Sequence, residues 1–319
     1  MKDGIEGAAH EGDPKGGIAL DTLANLPSYF LSMILLPITE GFGAPAWGIM
    51  KRRVDDATGS VAPTLETRPT GAARTLIQAL RKSITMKPSC STPQSDTTGG
   101  GKFCWANTST EVTVTLVGHS MGAMVINRLL QTIEDPLLSS SSPALPVGQI
   151  VYLAPACSIN EAEQLLMPYL DRHPNTHFWL FTLNKRDESR EIPFNGLAVF
   201  VPRGTLLAWI DTFLESEVGP GEGRFGWVKY LETFYGVSDQ KPSSRAFLEY
   251  FTRASAPWSA LGVNWSLKNS PMRLHAFSSQ RRVRDHTAPE RHEDFLEPDH
   301  FKTILCKVDS TLFKAGNGC

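Results

Sequence analysis

A serine with a glycine two positions away on each side can be an acyl-transfer nucleophile, and Gly118-His119-Ser120-Met121-Gly122 has that G-x-S-x-G spacing. A serine hydroxyl is a poor nucleophile at neutral pH; it needs an imidazole to take its proton and a carboxylate to orient that imidazole. The surrounding stretch "VTLVGHSMGAMVINRLL" separates such a nucleophile from a serine in an ordinary glycine-rich turn. "EVTVTLV", residues 111–117, alternates and then turns wholly apolar, the pattern of a strand covered on both faces. "MGAMVINRLLQTIED" follows at once, with Met121, Met124, Val125, Leu129 and Ile133 recurring at helical spacing. So sharp a turn strains its central residue, lifts the Ser120 hydroxyl out, and leaves the Met121 amide at a helix N-terminus, able to bind a developing oxyanion.

With a nucleophile at a strand-to-helix turn, the acid follows the serine in the chain and the histidine comes last. "NKRDESRE" offers Asp187, Glu188 and Glu191; Asp187, four residues past a strand end, is the preferred acid. Asp211 in "LLAWIDTFL" is a further carboxylate that reads as a helix residue. His286, His292 and His300 all follow the last strand. His292, in the loop "RHEDF" before the final helix, is the preferred base, and His300, within that helix's first turns, is the alternative base. His119 is expected to turn away from Ser120 and pack, and His275 to be structural within its strand.

These residues need a scaffold. After the strand and helix around Ser120 comes a second apolar strand, "GQIVYLAPA". Ser158 and Glu161 then form an S-x-x-E capping box that opens the helix "INEAEQLLMPYLDRH". A third strand, "HFWLFTL", follows, and "MRLHAFSS" is the last one. Strand and helix alternating with short connections predict an α/β fold, mainly a parallel sheet with flanking helices. The long interval before the last strand, about residues 188–271, is expected to be a helical insertion built from "GTLLAWIDTFLES", "GRFGWVKYLETFYG" and "SSRAFLEYFTRA", capping one sheet edge. Upstream, "AARTLIQALRKSI" puts Leu76, Ile77, Leu80 and Ile84 on one helix face, while "KPSCSTPQSDTTGGGK" reads as a loop whose triple glycine is no phosphate cradle. Pro298 suits the first turn of the final helix, "PDHFKTILCKV". The domain reading is an apolar, irregular segment over 1–70 and one domain over 71–319.

Composition limits the partners. The 319 residues, 41% hydrophobic and 20% charged, suffice for a sizeable core. Thirty-one Lys and Arg against 33 Asp and Glu leave a net charge of −2, which argues against a nucleic-acid partner and for a small or neutral substrate. Cys90, Cys104, Cys157, Cys306 and Cys319 are widely spaced, with no metal-ligand cluster and no expected disulfide framework. The start, "MKDGIEGAAHEGDPK", lacks the pattern of a secretory signal, so an intracellular protein is expected. Between Thr22 and Met50 the only charge is Glu40; the most apolar part, "YFLSMILLPI", bracketed by Pro27 and Pro37, is too short to span a bilayer but suits a buried helix or an interfacial segment, with peripheral membrane contact through residues 22–50.

The stretch "VTLVGHSMGAMVINRLL" followed by "IVYLAPACSI" resembles the α/β-hydrolase superfamily, and "PRGTLLAWIDTFL" with "HEDF" is similar to a fungal-type group within it. The resemblance covers about residues 72–319. It implies a serine nucleophile at Ser120, an oxyanion amide at Met121 and a histidine at His292. The expected activity is hydrolysis of carboxylic esters, esterase- or lipase-like, with no metal or organic cofactor and an apolar acyl group facing the aromatic-rich insertion. Residues 1–110 carry no "HG" turn of the kind that gives such enzymes a second oxyanion donor, so either that segment has diverged or early strands are missing, and the alternative reading is a catalytically impaired hydrolase-like protein with a partner- or membrane-binding role.

Overall fold

The computed structural model describes residues 43–59, 71–85, 112–134, 145–183, 187–188, 191, 204–215, 223–231, 265–266, 272–277, 289 and 291–309. The apolar run before residue 43, the triple-glycine loop, the helix read at 243–254 and His286 lie outside them.

Four strands form a parallel sheet in the order β1 (Val114–His119), β2 (Val147–Leu153), β3 (His177–Leu183) and β5 (Met272–Phe277). A two-residue strand, β4 (Trp265–Ser266), adds antiparallel beyond β5. The middle of the sheet is dry on both faces: Ile150, Val151, Tyr152 and Leu153 are all fully buried, as parallel strands covered by helices require. Tyr152 packs edge-on against Phe178, and its hydroxyl donates to the Asn127 carboxamide oxygen at 2.5 Å. β1 departs from its expected double cover. Its only partner among the described residues is β2, so Val117 stays 37% exposed and the strand runs later than the sequence pattern suggested.

The helices are fixed by local signals and turned by packing. α1 spans 43–58, inside the stretch read as irregular, and sends Trp47 and Val54 into the shared core. α2, Ala72–Thr85, buries Ile77 and packs Leu80 and Ile84 against the core, as expected of that face, but leaves Leu76 55% exposed. Arg81 is buried beside them, and its Nη2 donates at 2.7 Å to the Ile133 carbonyl in the last turn of α3, where a cation complements the helix dipole. α3, Gly122–Glu134, buries Ala123, Met124, Ile126, Asn127, Leu130 and Ile133 and packs Leu129, with Met121 just before the helix, against the core; of the positions read as apolar at helical spacing, Val125 alone stays at the surface.

α4 begins where the capping signal puts it, with Ser158 Oγ accepting the Glu161 N–H at 3.1 Å. The reciprocal half of the box is absent, because the Glu161 carboxylate instead takes the Asn127 amide at 3.3 Å. The helix continues through a π turn at Ala162–Leu166 into Met167–Arg172, the extra residue per turn accommodating Pro168, which has no N–H to give. In the insertion, α5 (Leu206–Trp209) runs into a second π turn, Ile210–Leu214, and α6 is Val228–Leu231. α7, Pro298–Val308, opens on its proline as expected. Cys306 in α7 is disulfide-bonded, although the cysteine spacing suggested no disulfide framework, while Cys157 is a buried free thiol. Among the described residues no helix is long and apolar enough to cross a membrane.

Candidate functional site

The parallel strands all end at one edge of the sheet, where side chains from successive loops converge in open α/β folds. Ser120 follows β1, Asp187 and Glu191 follow β3, and His292 follows β5. Topology therefore brings to one edge four residues that the sequence spreads over 172 positions, from 120 to 292.

Ser120 has φ 51°, the left-handed region that non-glycine residues seldom occupy. The strained turn is pinned on both sides. The Ser120 N–H donates to the Leu153 carbonyl at 2.9 Å, and the Ser120 carbonyl accepts the Ala156 N–H at 3.0 Å and the Ala123 N–H at 3.2 Å. Ala154, at the exit of β2, has φ 42° and is held by its N–H on the Phe181 carbonyl. Gly118 is needed for the turn to close: a Cβ there would come within 2.7 Å of the Gly122 carbonyl group and the Ile126 side chain. Gly122 is different, since a Cβ would meet nothing within 4 Å; the second glycine of the motif is not required by contact. α3 starts at Gly122, so the Met121 amide belongs to the first-turn donors a helix cannot satisfy, and it has no backbone acceptor among the described residues.

His292 lies at the start of a single 3-10 turn, Glu293–Leu296, ahead of α7. Its ring is 4.8 Å, centroid to centroid, from that of His119, the residue before Ser120, and its carbonyl is 3.0 Å from His119 Nε2. His292, the base preferred from the sequence, thus lies beside the turn, and His119 packs as expected. Burial, with the neighbouring His119, lowers the His292 imidazole to about 3, so it stands neutral. Both its ring nitrogens are buried without a hydrogen-bond partner among the described residues. His292 is thus hydrogen-bonded through its ring neither to Ser120 nor to Asp187, and the expected serine–histidine–aspartate chain is not closed.

The carboxylates divide their work differently from the sequence reading. Asp187 is buried, and its carbonyl accepts the Glu191 N–H at 3.2 Å. Glu188 is fully buried, accepts the Thr205 hydroxyl at 2.6 Å through Oε2, and leaves Oε1 without a partner; burial pushes its carboxyl well up. Glu191 makes the link to the histidine loop, its Oε2 accepting the His292 main-chain N–H at 2.9 Å. No sequence signal marks that bond, whose ends are 101 residues apart. Asp211 is bound to the buried Arg224, Oδ1 to Nε, at 2.7 Å, and so serves packing in the insertion. His300 lies with Nδ1 2.9 Å from the Asp294 carbonyl, which ties the alternative base to the turn before α7. His275 sits between Phe277 and Phe181, at 4.3 and 5.7 Å, a structural position as read.

A cleft of about 390 Å³ lies elsewhere, between α1, α3 and the start of α4, lined by Lys51, Val54, Asp55, Met124, Arg128 and Glu161. Among the described residues no three His, Cys, Asp or Glu side chains converge as a metal site. No protein-family model, curated protein or solved structure matches the chain.

Proposed function

We propose that this chain is a serine hydrolase of the α/β-hydrolase type acting on carboxylic esters. The observation that carries the reading is the left-handed φ of 51° at Ser120, between a parallel strand and a helix N-terminus. The surrounding structure sustains this strain through the bonds of the Ser120 N–H and carbonyl to Leu153, Ala156 and Ala123, and strain held in this way clusters at functional sites.

In the proposed reaction Ser120 Oγ attacks the ester carbonyl carbon while His292 takes the hydroxyl proton. The oxyanion is bound by the Met121 amide. Collapse breaks the ester C–O bond, His292 protonates the departing alcohol, and the acyl group stays on Ser120. Water, deprotonated by the same imidazole, then releases the acid and regenerates the serine. Asp187 is the proposed orienting carboxylate. His292 must turn from its present ring position to make these bonds, which substrate entry at the sheet edge would drive. The Leu206–Leu214 and Val228–Leu231 segments of the insertion, with Trp227 and Tyr230, favour an apolar acyl group.

The test is covalent labelling by a fluorophosphonate. Wild-type protein is expected to be labelled and Ser120→Ala not; folded wild-type protein that resists the probe sinks the reading. One observation favours a second reading, a hydrolase-like protein without activity: the two unpartnered ring nitrogens of His292. Under it, binding to a partner or membrane surface would involve residues 22–50, whose described end exposes Ile49 and Met50. Unlabelled protein that pellets with liposomes, and ceases to in Ile49→Ser/Met50→Ser, would favour it.

A further inference from the structure

We infer that Glu191 is a positioning residue: its carboxylate, by accepting the His292 main-chain N–H, fastens the histidine loop to the loop after β3 and so sets where the imidazole stands relative to Ser120. The catalytic part of this inference rests on the hydrolase reading; the fastening itself does not.

Glu191 is a hub. Its carboxylate takes the His292 N–H at 2.9 Å, its carbonyl takes the Gly204 N–H at 2.7 Å, and its own N–H goes to the Asp187 carbonyl at 3.2 Å. One residue thereby joins the turn that carries Asp187, the entry to α5 and the histidine loop. Among the described residues the His292 ring nitrogens have no hydrogen-bond partner, so the hydrogen bonds that place it are those of its main chain, the N–H on Glu191 and the carbonyl on His119, with the His119 ring packed 4.8 Å away.

The charges around Glu191 bear on its protonation. Burial raises its carboxyl to about 7; the His292 N–H opposes this, Glu293 and Asp294 add to it, and Arg291 opposes it. On its own side of the site, Asp187 and Glu188 are its acidic neighbours, and Glu188 and Glu191 repel each other's charged forms. The ionised carboxylate is the stronger acceptor for an N–H. The fastening is therefore complete above pH 7 and weakens as pH falls through that value. The His292 ring, lowered to about 3, contributes no limb there.

The experiment compares wild type, Glu191→Gln and Glu191→Ala by two readouts: the pH dependence of the fluorophosphonate labelling rate at Ser120, and the exchange protection of the His292 amide. Glu191→Ala is expected to lose protection at His292 and to slow labelling by about 10- to 100-fold, the cost of a base displaced by about an ångström. Glutamine keeps a carbonyl oxygen to accept the N–H, so Glu191→Gln should recover most of that loss and lack the wild-type limb near pH 7. A purely structural residue would not remove the limb. The inference is overturned if His292 stays protected in Glu191→Ala, or if the limb persists in Glu191→Gln. Failure of the wild type to label at all defeats the hydrolase reading, and the amide protection then decides the fastening alone.

Discussion

The Nε2 of His119 lies 3.0 Å from the carbonyl oxygen of His292, with the two imidazole rings tilted at 46° and 4.8 Å apart. A carbonyl only accepts, so His119 carries its proton on Nε2 and donates. Two residues 173 positions apart thus hold the histidine loop against the turn that bears Ser120. His119→Phe keeps a ring in the stack but removes the donor. It should lower unfolding free energy by about 1–2 kcal/mol, the cost of a lost, partly buried hydrogen bond, measured by urea titration. An unchanged midpoint would mean the ring contact alone holds the loop.

The two glycines of the motif should respond oppositely to alanine. Gly118→Ala drives a methyl into the Gly122 backbone and Ile126, and should cost roughly 1–3 kcal/mol by overpacking. Gly122→Ala meets open space in the first turn of α3 and should be neutral or stabilising by up to about 1 kcal/mol. Thermal unfolding of the pair reads the difference directly; equal losses would refute the asymmetry.

Ser120→Gly removes both the nucleophile and the strain of a Cβ at φ 51°. The variant should fail to label yet unfold at the wild-type temperature or above it, gaining at most about 1–2 kcal/mol from the relieved left-handed conformation. A marked loss of stability would show the hydroxyl to be a packing group.

Asp211→Ala leaves Arg224 without its 2.7 Å partner at a site where the guanidinium is 2% exposed. Breaking a buried pair from one side costs about 3–5 kcal/mol when the remaining charge is uncompensated, and the loss here should fall below that because Glu215 stays 3.5 Å from Arg224 Nη2. Arg224 Nη1 also donates to the Ala156 carbonyl at 2.9 Å, and the Ala156 N–H holds the Ser120 carbonyl. The variant should therefore be destabilised and, where still folded, slower to label. Stability within 1 kcal/mol of wild type, on the order of a surface substitution, would remove Arg224 from this supporting role.

Burial between aromatic rings, with Lys307 nearby, lowers His275 to about 3. The unfolded chain takes up this proton near pH 6.5 and the folded chain does not, so the unfolded state gains as pH falls below 6.5. At pH 5 the effect reaches at most about 2 kcal/mol. His275→Phe should therefore become more stable relative to wild type at pH 5 than at pH 7. The same stability difference at both pH values would mean His275 titrates alike in both states.

Local sterics and periodicity made much of this legible in the sequence. The strands at residues 147–153 and 177–183, the Ser158 cap, the proline start of α7 and the strained turn at Ser120 each depend on residues within a few positions of one another. A side chain's direction around a helix is less local. Leu76 and Val125 have the spacing of buried positions but face outward, while Ile77, Leu80, Ile84, Met124, Leu129 and Ile133 on the same helices meet the core, because the width of a helix face that is covered depends on what packs against it.

By itself, the sequence determined a parallel α/β sheet and the residues that come to its carboxyl edge, since apolar runs, caps and glycines act on their immediate neighbours. Only the tertiary structure decided which carboxylate meets which partner: Glu191 rather than Asp187 holds His292, through its main chain, and Asp211 belongs to Arg224. The physical reason is that a hydrogen bond between loops is selected by packing and desolvation after the chain has folded back on itself, and residues 101 apart carry no mark of that meeting.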